Sequence, residues 1–495
     1  MGIAFHFPLL MIFLPMACAI LMPIVRNAEK ARQITLFTSI VQIALSIALV
    51  LALWNSRYWY FTYTMGAFPA PYGNEIGFGM LEALIACAFS IVMTICIYGT
   101  KKDLATDIER GKRYFYFCMV NLLSASLMVL TFSEDLFTTY VFIEVITISA
   151  CSIVAAKENK ETLKATIKYL FLSVMGSGLF LMGLAILYAI TGHLLMRYTG
   201  YSVAYLVANN MYQFPLVVSL ILFIVAIAVK SALFPFHSWL PDAHGSATTT
   251  SSAILSGLVI KGYMVFLIKL VYRVYGIENV SNLGGFTVLF AFGVTGIIAG
   301  SVMACFQTDF KRMIAYSTVG QIGYIFMGMG LNTTSGFVIS SFHIIAHSFT
   351  KSMMFITAGA LISESGSPLI SDLNGAGIKN KLAGTAFAIG ALSMIGIPLF
   401  AGFVTKFNIA TASIGSEQSI WFVLPALAFS TLFSGIYYFP VVAKIFARPE
   451  GGTFEPTKLT FSASFSLVLL IAINIGLGLL FSPLLRALEF GILAL

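Results

Sequence analysis

Four lysines lie inside stretches of the chain that otherwise read as membrane-spanning helices: Lys230, Lys261, Lys351 and Lys406. One carboxylate, Glu144, does the same. An ionisable side chain in the bilayer interior is costly unless it is paired or hydrated, so such a residue marks an ion pathway by default. Five of them on five different predicted helices make proton or cation transport the leading hypothesis.

Glu144 and Lys230 have the chemistry of a switch. No other charge lies within a turn or two of Glu144. Burial disfavours the charged form of a lysine, and a nearby carboxylate favours it again. A pair that closes and opens could therefore make Lys230 hold or release a proton. The alternative is that Glu144 is a neutral, hydrogen-bonded carboxyl used for packing.

His343, His347 and Lys351 follow one another at intervals of four residues, which places them on one face of a helix. The imidazoles favour a proton relay. A pair of histidines at this interval is also a zinc spacing, but no general-base glutamate or third ligand adjoins it, so no metal site and no cofactor is predicted in this chain. Core histidines with satisfied hydrogen bonds are the remaining alternative.

Four further residues extend the candidate relay or its path to the surface. Lys261 lies nearer the middle than the end of its span, although a lysine that extends to the interface would look similar. Lys406 would be the exit station. His237 and His244 flank the end of the seventh span, where they could line a path from the surface to Lys230 or belong to a structured loop.

Composition places the chain in a bilayer. It has 495 residues, of which 59% are hydrophobic and 10% charged, and its mean hydropathy is +0.93. Apolar runs long enough to span a membrane recur throughout, with no soluble domain between them. The prediction is an all-α polytopic membrane protein, a single transmembrane domain over residues 1–495. About fourteen spans are predicted, near 3–25, 34–54, 79–98, 114–132, 135–156, 165–191, 214–235, 252–275, 285–306, 312–331, 336–362, 383–413, 420–446 and 460–482.

The formal charge of +8 does not indicate a nucleic-acid partner, because the basic residues are divided between two sides of the predicted topology. Five fall on one side: Arg57, Arg197, Lys269, Arg273 and Arg486. Nineteen fall on the other side: Arg26, Lys30, Arg32, Lys101, Lys102, Arg110, Lys112, Arg113, Lys157, Lys160, Lys164, Lys168, Lys311, Arg312, Lys379, Lys381, Lys444, Arg448 and Lys458. Cytoplasmic loops carry the excess of Lys and Arg. This predicts a multi-pass protein of the cytoplasmic membrane with both termini on the outer face.

Proline interrupts the seventh and twelfth spans, and a lysine lies near each interruption. Proline breaks a helix and frees backbone carbonyls, and paired interruptions in two halves point to inverted-repeat transporters. Helices 4–8 (about 114–275) would then match helices 9–13 (about 285–446), with Lys230 and Lys406 as counterparts. Sequence similarity between the halves is weak, so the repeat stays one of two alternatives.

At several of these positions the chain resembles the antiporter-like subunits of Mrp-type cation/proton antiporters, of respiratory complex I and of energy-converting membrane-bound hydrogenases. The resemblance covers nearly the whole chain. It rests on these segments: Glu144 in helix 5, residues 229–244 (VKSALFPFHSWLPDAH), residues 257–261 (GLVIK), residues 309–323 (DFKRMIAYSTVGQIG), the face with His343, His347 and Lys351, and residues 396–403 (GIPLFAGF).

The resemblance implies fourteen helices with two inverted five-helix repeats and broken helices 7 and 12. It also implies a modulating pair of Glu144 and Lys230, a relay through Lys261 and the helix-11 histidines, and Lys406 as the terminal lysine. Residues 66–73 (GAFPAPYG) resemble the D-type subunit of Mrp antiporters. Expected partners are the other membrane subunits of an Mrp, hydrogenase or complex I-like assembly, the lipid bilayer, and H⁺ with Na⁺ as a second candidate.

Two other functions compete with this reading. A stand-alone transporter of a small solute would need one convergent pocket, whereas the polar residues form a line across many helices. An enzyme acting on lipid or quinone would need a catalytic cluster at an interface, and the sequence offers none. With no redox centre in the chain, any electron transfer would belong to partner subunits.

Overall fold

The computed structural model describes residues 4–56, 59–68, 72–416, 420–448 and 457–495. Arg57 and the prolines of the 66–73 segment lie outside the described residues. Helices occupy all fourteen predicted spans, and we number them by span. They are α1 Phe7–Val25, α2 Ala28–Trp54, α3 Met80–Gly99, α4 Arg113–Phe132, α5 Leu136–Ala155, α6 Lys160–Thr191, α7a Gln213–Lys230, α7b Trp239–Ser246, α8 Thr249–Tyr275, α9 Gly285–Cys305, α10 Phe310–Gly330, α11 Thr334–Ser365, α12a Lys381–Ile395, α12b Ala401–Ala412, α13 Ile420–Phe446 and α14 Phe461–Leu479.

The chain is a multi-pass membrane protein. Within the described ranges, twelve helices are long and apolar enough to cross a bilayer. The span count of fourteen is not confirmed by this measure, because α10 is less apolar than the others and α12 is interrupted. Both predicted breaks are present. Residues 231–235 separate α7a from the short helical segment before α7b, and residues 396–400 separate α12a from α12b.

Several elements were absent from the sequence prediction. Strands β1 Tyr60–Thr64 and β2 Glu75–Gly79 form an antiparallel hairpin between α2 and α3, so the chain is not wholly helical. The strand Tyr60–Thr64 consists of aromatic residues and threonine, which favour extended structure. The stretch between the sixth and seventh predicted spans contains a helix at Met196–Ala208. Two other short helices lie at Lys101–Asp107 and Phe481–Leu493.

Helices α8 and α11 form the centre of the bundle. Every residue in the apolar window of α8 is buried, and 89% of the window of α11 is buried. Gly257 lets the two helices approach, since a Cβ there would lie 2.1 Å from Ser352 Oγ. Two π-helical segments, Leu255–Val259 and Leu270–Tyr275, widen α8 on either side of its α-helical middle. Lys261 of α8 and Lys351 of α11 are therefore enclosed by protein.

The closest helix pair is α9 with α10, and glycine makes its spacing possible. A Cβ added to Gly300 would lie 2.3 Å from the backbone nitrogen of Gly320, and one added to Gly293 would lie 2.3 Å from that of Met327. Gly296 and Gly300 are thus part of a helix-packing motif. Small residues at this interval let membrane helices approach closely.

Two isolated backbone bridges recur in similar form, one in each half of the chain. Asp135 pairs with Leu195, and Asp309 pairs with Leu369. The hydrogen bonds match one to one: Leu136 N–H donates to Leu194 O as Phe310 N–H donates to Pro368 O.

Each bridge closes a pair of helices that begins after an N-capping aspartate and includes a 32-residue helix, α6 or α11. Five spans, α5 to α9, lie between Asp135 and Asp309. If each span crosses the membrane, the two bridges lie on opposite faces.

A Gly300→Ala substitution should reduce the amount of folded protein, because the methyl group meets backbone that cannot move aside. Overpacking of this kind costs about 1–3 kcal/mol. Gly178→Ala in α6 is the matched control, since a Cβ there meets nothing within 4 Å. The measurement is the yield and the thermal unfolding midpoint of the purified protein. Equal behaviour of the two variants would contradict the packing argument.

Candidate functional site

Glu144 and Lys230 meet as predicted. Lys230 is the last residue of α7a, and its Nζ lies 3.4 Å from Glu144 Oε1 on α5. A shorter hydrogen bond, 2.7 Å, runs from the same Nζ to Thr147 Oγ1. The Lys230 side chain is 3% exposed and that of Glu144 is 28% exposed. The pair is thus loosely closed, and Thr147 holds the lysine beside the carboxylate.

Lys261 follows the first π-helical segment of α8 and is fully buried. Its Nζ donates a hydrogen bond to Ser256 O within the same helix. The Ser256 hydroxyl lies 3.2 Å from Thr318 Oγ1 on α10, so this station also touches the second half of the molecule. The side chain does not extend to the interface, which removes the alternative considered for it in the sequence.

His343, His347 and Lys351 form one buried face of α11. The two imidazoles stack with centroids 5.3 Å apart and an interplanar angle of 15°. His343 Nδ1 lies 3.0 Å from Thr405 Oγ1 on α12b. Lys351 Nζ donates to Ile314 O at 3.0 Å and to the hydroxyl of Ser317. Neither ring nitrogen of His347 has a hydrogen-bond partner among the described residues.

Lys406 lies in α12b and reaches back across the helix break. Its Nζ donates to Ile395 O at 2.6 Å, at the end of α12a, and to Thr431 Oγ1 at 2.8 Å. The ring of Tyr324 lies 5.6 Å from this Nζ and 5.9 Å from the His343 ring, so it connects the two stations. Lys406 follows its break whereas Lys230 precedes its own, so the two lysines are not at matching positions.

His237 and His244 lie on either side of Asp242, at the end of the molecule that carries most basic loops, here called the basic face. Both histidines are buried, and His244 stacks on Phe355 of α11 with centroids 4.4 Å apart. Asp242 forms ion pairs with Lys168 at 2.7 Å and Arg312 at 3.0 Å.

A cavity of about 780 Å³ opens beside these ion pairs on the basic face. Asp309 lines it, caps the start of α10, and its burial raises the pKa of its carboxyl above the usual range. The cavity brings solvent to the end of α7b, two residues from His244.

The model of the family described as NADH:quinone oxidoreductase/Mrp antiporter, TM matches residues 133–434, more than half of the chain and nearly all of the stations above. The chain belongs to this family.

Among similar antiporter-family sequences is the NADH-quinone oxidoreductase subunit N of Desulforudis audaxviator, 29% identical over 90% of this chain and 88% of that protein. The D-type subunit of a Na(+)/H(+) antiporter from Alkalihalophilus pseudofirmus is 28% identical over 85% of this chain and 83% of that protein.

Two solved structures share the antiporter-family fold. A chain of the archaeal membrane-bound sulfane sulfur reductase matches with a TM-score of 0.90 and 24% identity, covering 98% of this chain and 97% of that one. A chain of the Mrp complex from Dietzia sp. DQ12-45-1b matches with a TM-score of 0.88 and 20% identity, covering 99% and 97%.

Sequence reasoning missed the hydroxyl groups that hold the lysines: Thr147, Ser317 and Thr431. Thr147 had a signal, because it lies three residues after Glu144 on the same helix face. The other two come from distant segments and had none. Among the described residues, no group of three or more His, Cys, Asp or Glu side chains is arranged to hold a metal.

Lys269 was counted among the loop residues on the side with few basic residues, and this assignment was wrong. Lys269 lies inside α8, its side chain is 0% exposed, and its Nζ is 2.9 Å from Glu134 Oε1. Arg273 pairs with the other oxygen of Glu134, also at 2.9 Å. The sequence placed both cations near a span end, where exposure is the usual outcome, and the hairpin and the Phe481–Leu493 helix that cover this end were not predicted.

Thr147→Val should slow ion transport by about tenfold or more, because a hydrogen bond to a charged group contributes about 1.5–3 kcal/mol. Valine keeps the shape but cannot accept from Lys230 Nζ. Thr147→Ser should retain most activity. Thr139→Val, which removes a hydroxyl bonded to Asp135 O on the same helix, controls for general damage to α5. The measurement is the initial transport rate in vesicles that contain the native complex. Wild-type rates in Thr147→Val would contradict the positioning role.

Proposed function

We propose that the chain is a proton-translocating, antiporter-like subunit of a multisubunit membrane complex. The observation that supports this proposal is the set of oxygen atoms around its buried lysines. Lys261, Lys351 and Lys406 have no carboxylate oxygen within 4 Å in the described part of the chain; hydroxyl and carbonyl oxygens hold them instead. A buried ammonium without a counter-ion is costly. Such lysines can give up a proton readily, as a relay requires.

The Glu144–Lys230 pair is the switch of this relay. With the pair closed, the carboxylate stabilises the ammonium of Lys230. When the pair opens, Lys230 keeps only Thr147 as a partner and its neutral form becomes favourable. The proton is then available to the next station. A gap of 3.4 Å, bridged on one side by a neutral hydroxyl, suits a contact that must break and reform.

From Lys261 the route leads into the second half. Ser256 and Thr318 link the Lys261 station to α10, where the neighbouring Ser317 holds Lys351. Buried polar nitrogens without protein partners, such as those of His347, need water in a folded protein. Water between the stations would carry protons across the gaps.

The later stations lie around α11 and α12b. His343 is tied to Thr405, and Tyr324 lies between His343 and Lys406. Lys406 sits at the break in α12, where the carbonyl of Ile395 is free to accept from it. Irregular backbone at membrane depth is tolerated where it lines a hydrated cavity. Lys406 therefore serves as the last station before release.

Proton access is placed at the basic face, where the cavity near Asp242 approaches His244. Because positive loops remain in the cytoplasm, the basic face is taken as cytoplasmic, with the chain in the cytoplasmic membrane and both termini outside. Removing buried Lys269 from the loop count strengthens this asymmetry.

Partner subunits are implied by the position of Glu144. Its carboxylate is 28% exposed within a stripe of exposed apolar residues on α5, which includes Phe137, Val141 and Ile148. A carboxylate facing lipid would be costly. A neighbouring membrane subunit that covers α5 removes this cost. The relatives named above belong to complexes by their titles, and any redox centre is assigned to such partners.

Protons are the primary cargo because lysine and histidine carry them directly. Sodium is a second candidate, since one relative is named as part of a Na(+)/H(+) antiporter. The competing function, a stand-alone solute transporter, would need one convergent pocket, whereas the candidate relay residues lie on five helices, α5, α7a, α8, α11 and α12b. Transport by the purified single chain in liposomes would be the result in its favour.

Glu144→Gln and Lys230→Met should each lower proton transport by about 100-fold, the range expected for loss of an acid–base group, while assembly is retained. Exposed Glu109→Gln and Lys102→Met at the basic face are the matched controls and should behave as wild type. The readout is proton uptake by vesicles that contain the whole complex. Unchanged transport in either test variant would exclude the relay.

Gentle purification of the native complex, with identification of its subunits and an iron assay, tests the assembly. Small membrane subunits without iron would indicate an Mrp-type antiporter. Iron–sulfur proteins would indicate a redox-driven pump. A chain that purifies alone and transports alone would contradict the proposed complex.

A further inference from the structure

A second buried charge cluster lies at the face opposite the basic face and outside the relay. Glu134, in the turn between α4 and α5, is 1% exposed and accepts from Lys269 Nζ at 2.9 Å and from Arg273 Nη2 at 2.9 Å. The Tyr60 hydroxyl of β1 donates to Glu134 Oε1 at 2.5 Å. We name these four residues the Glu134 cluster.

Lys269 is fixed in this cluster. Besides Glu134, its ammonium donates to the backbone oxygens of Ser133 at 2.7 Å and Thr131 at 3.3 Å. These oxygens lie at the C-terminal end of α4, where the helix dipole favours a cation. All three donor positions are thus used, and the side chain is 0% exposed. Unlike Lys261, Lys351 and Lys406, Lys269 therefore has a carboxylate as well as backbone oxygens around its Nζ.

The cluster lies between the relay and solvent. Tyr60 and Arg273 line a cavity of about 520 Å³, together with the exposed Arg197. On the other side, Lys261 is two helical turns before Lys269 on α8. The residues 264–268 between them are apolar and 0% exposed, and Leu127 and Leu130 of α4 pack against Gly262. A buried apolar layer and then a fixed cation separate Lys261 from the second cavity.

We propose that Lys269, held in place by Glu134, is an electrostatic plug that closes the first half of the relay toward the face opposite the basic face. A proton on Lys261 then leaves sideways toward α10 and α11 and does not escape directly to the cavity near Arg273. This inference rests on the proposed proton relay. It adds a positioning role to residues that carry no proton themselves.

Neighbouring charges do not alter the direction of the effect. The groups facing Lys269 are Glu134, Arg273, Tyr60 and Glu82 of α3, which is 0% exposed and accepts from Gly79 N–H at 2.9 Å. Whatever the charge on Glu82, Lys269→Met makes the cluster one unit more negative. Glu134→Gln makes it one unit more positive. The two substitutions break the same contact but change the charge in opposite directions.

The test is passive proton leak in vesicles that contain the whole complex, followed after a pH jump with no sodium and no redox substrate. Lys269→Met should raise the leak by about tenfold, since two unit charges about 12 Å apart at an effective dielectric constant of about 20 interact by roughly the free energy of one decade. Glu134→Gln should leave the leak at or below the wild-type rate.

Two outcomes overturn the plug. Equal leak from both variants would mean that the contact seals the structure mechanically, without an electrostatic role. No added leak from Lys269→Met in an assembled complex would mean that the apolar layer is sufficient. Should Lys269→Met fail to assemble, Arg273→Met removes a cation of the same cluster at the cavity and should raise the leak in the same direction, while Lys269→Arg should remain tight.

The experiments distinguish failure of the plug proposal from failure of the relay proposal. Coupled transport that survives Glu144→Gln contradicts the relay. A leak that is insensitive to Lys269 while Glu144→Gln abolishes coupled transport contradicts the plug alone.

Discussion

The structure must hold several lysine side chains inside the bilayer with no carboxylate beside them. Removing an ammonium from water is so unfavourable that a buried lysine must find a counter-ion, find other oxygens, or lose its proton. Lys261, Lys351 and Lys406 use the second possibility, because hydroxyl and carbonyl oxygens accept hydrogen bonds from them. Helix α8 is enclosed by protein over its whole apolar window, so no lipid contacts Lys261.

The oxygens that hold the lysines come from two sources. Irregular backbone supplies one, since the breaks in α7 and α12 and the π-helical segments of α8 leave carbonyls such as Ile395 O available. Hydroxyl groups supply the other, from Thr147, Ser317 and Thr431. Neutral partners stabilise an ammonium less than a carboxylate does, as the proposed relay requires.

The two glutamates of α5 and its preceding turn illustrate the contrast. Glu144 is partly exposed and lies 3.4 Å from one lysine, so its contact can open. Glu134 is buried and bonded to two cations and a tyrosine hydroxyl, so its contact is fixed. Removing one partner of a buried ion pair is strongly unfavourable, because it leaves the other charge buried without a counter-ion. Glutamate and lysine therefore form a loose contact at Glu144 and a fixed contact at Glu134, according to the number of partners that each glutamate has.

The sequence by itself determined the membrane class, the helical stretches, both helix breaks and the location of Glu144 and Lys230 inside apolar spans. These follow from hydropathy, proline, and the rarity of charge in an apolar span, which are local properties. It misassigned Lys269, and it gave no sign of Ser317 or Thr431 as partners. Lys269 is buried because Glu134 and the end of α4 meet it across more than a hundred residues of chain. Contacts of that separation are decided only when the helices pack, so tertiary structure alone distinguishes a buried lysine without a carboxylate partner from one that is fixed in an ion pair.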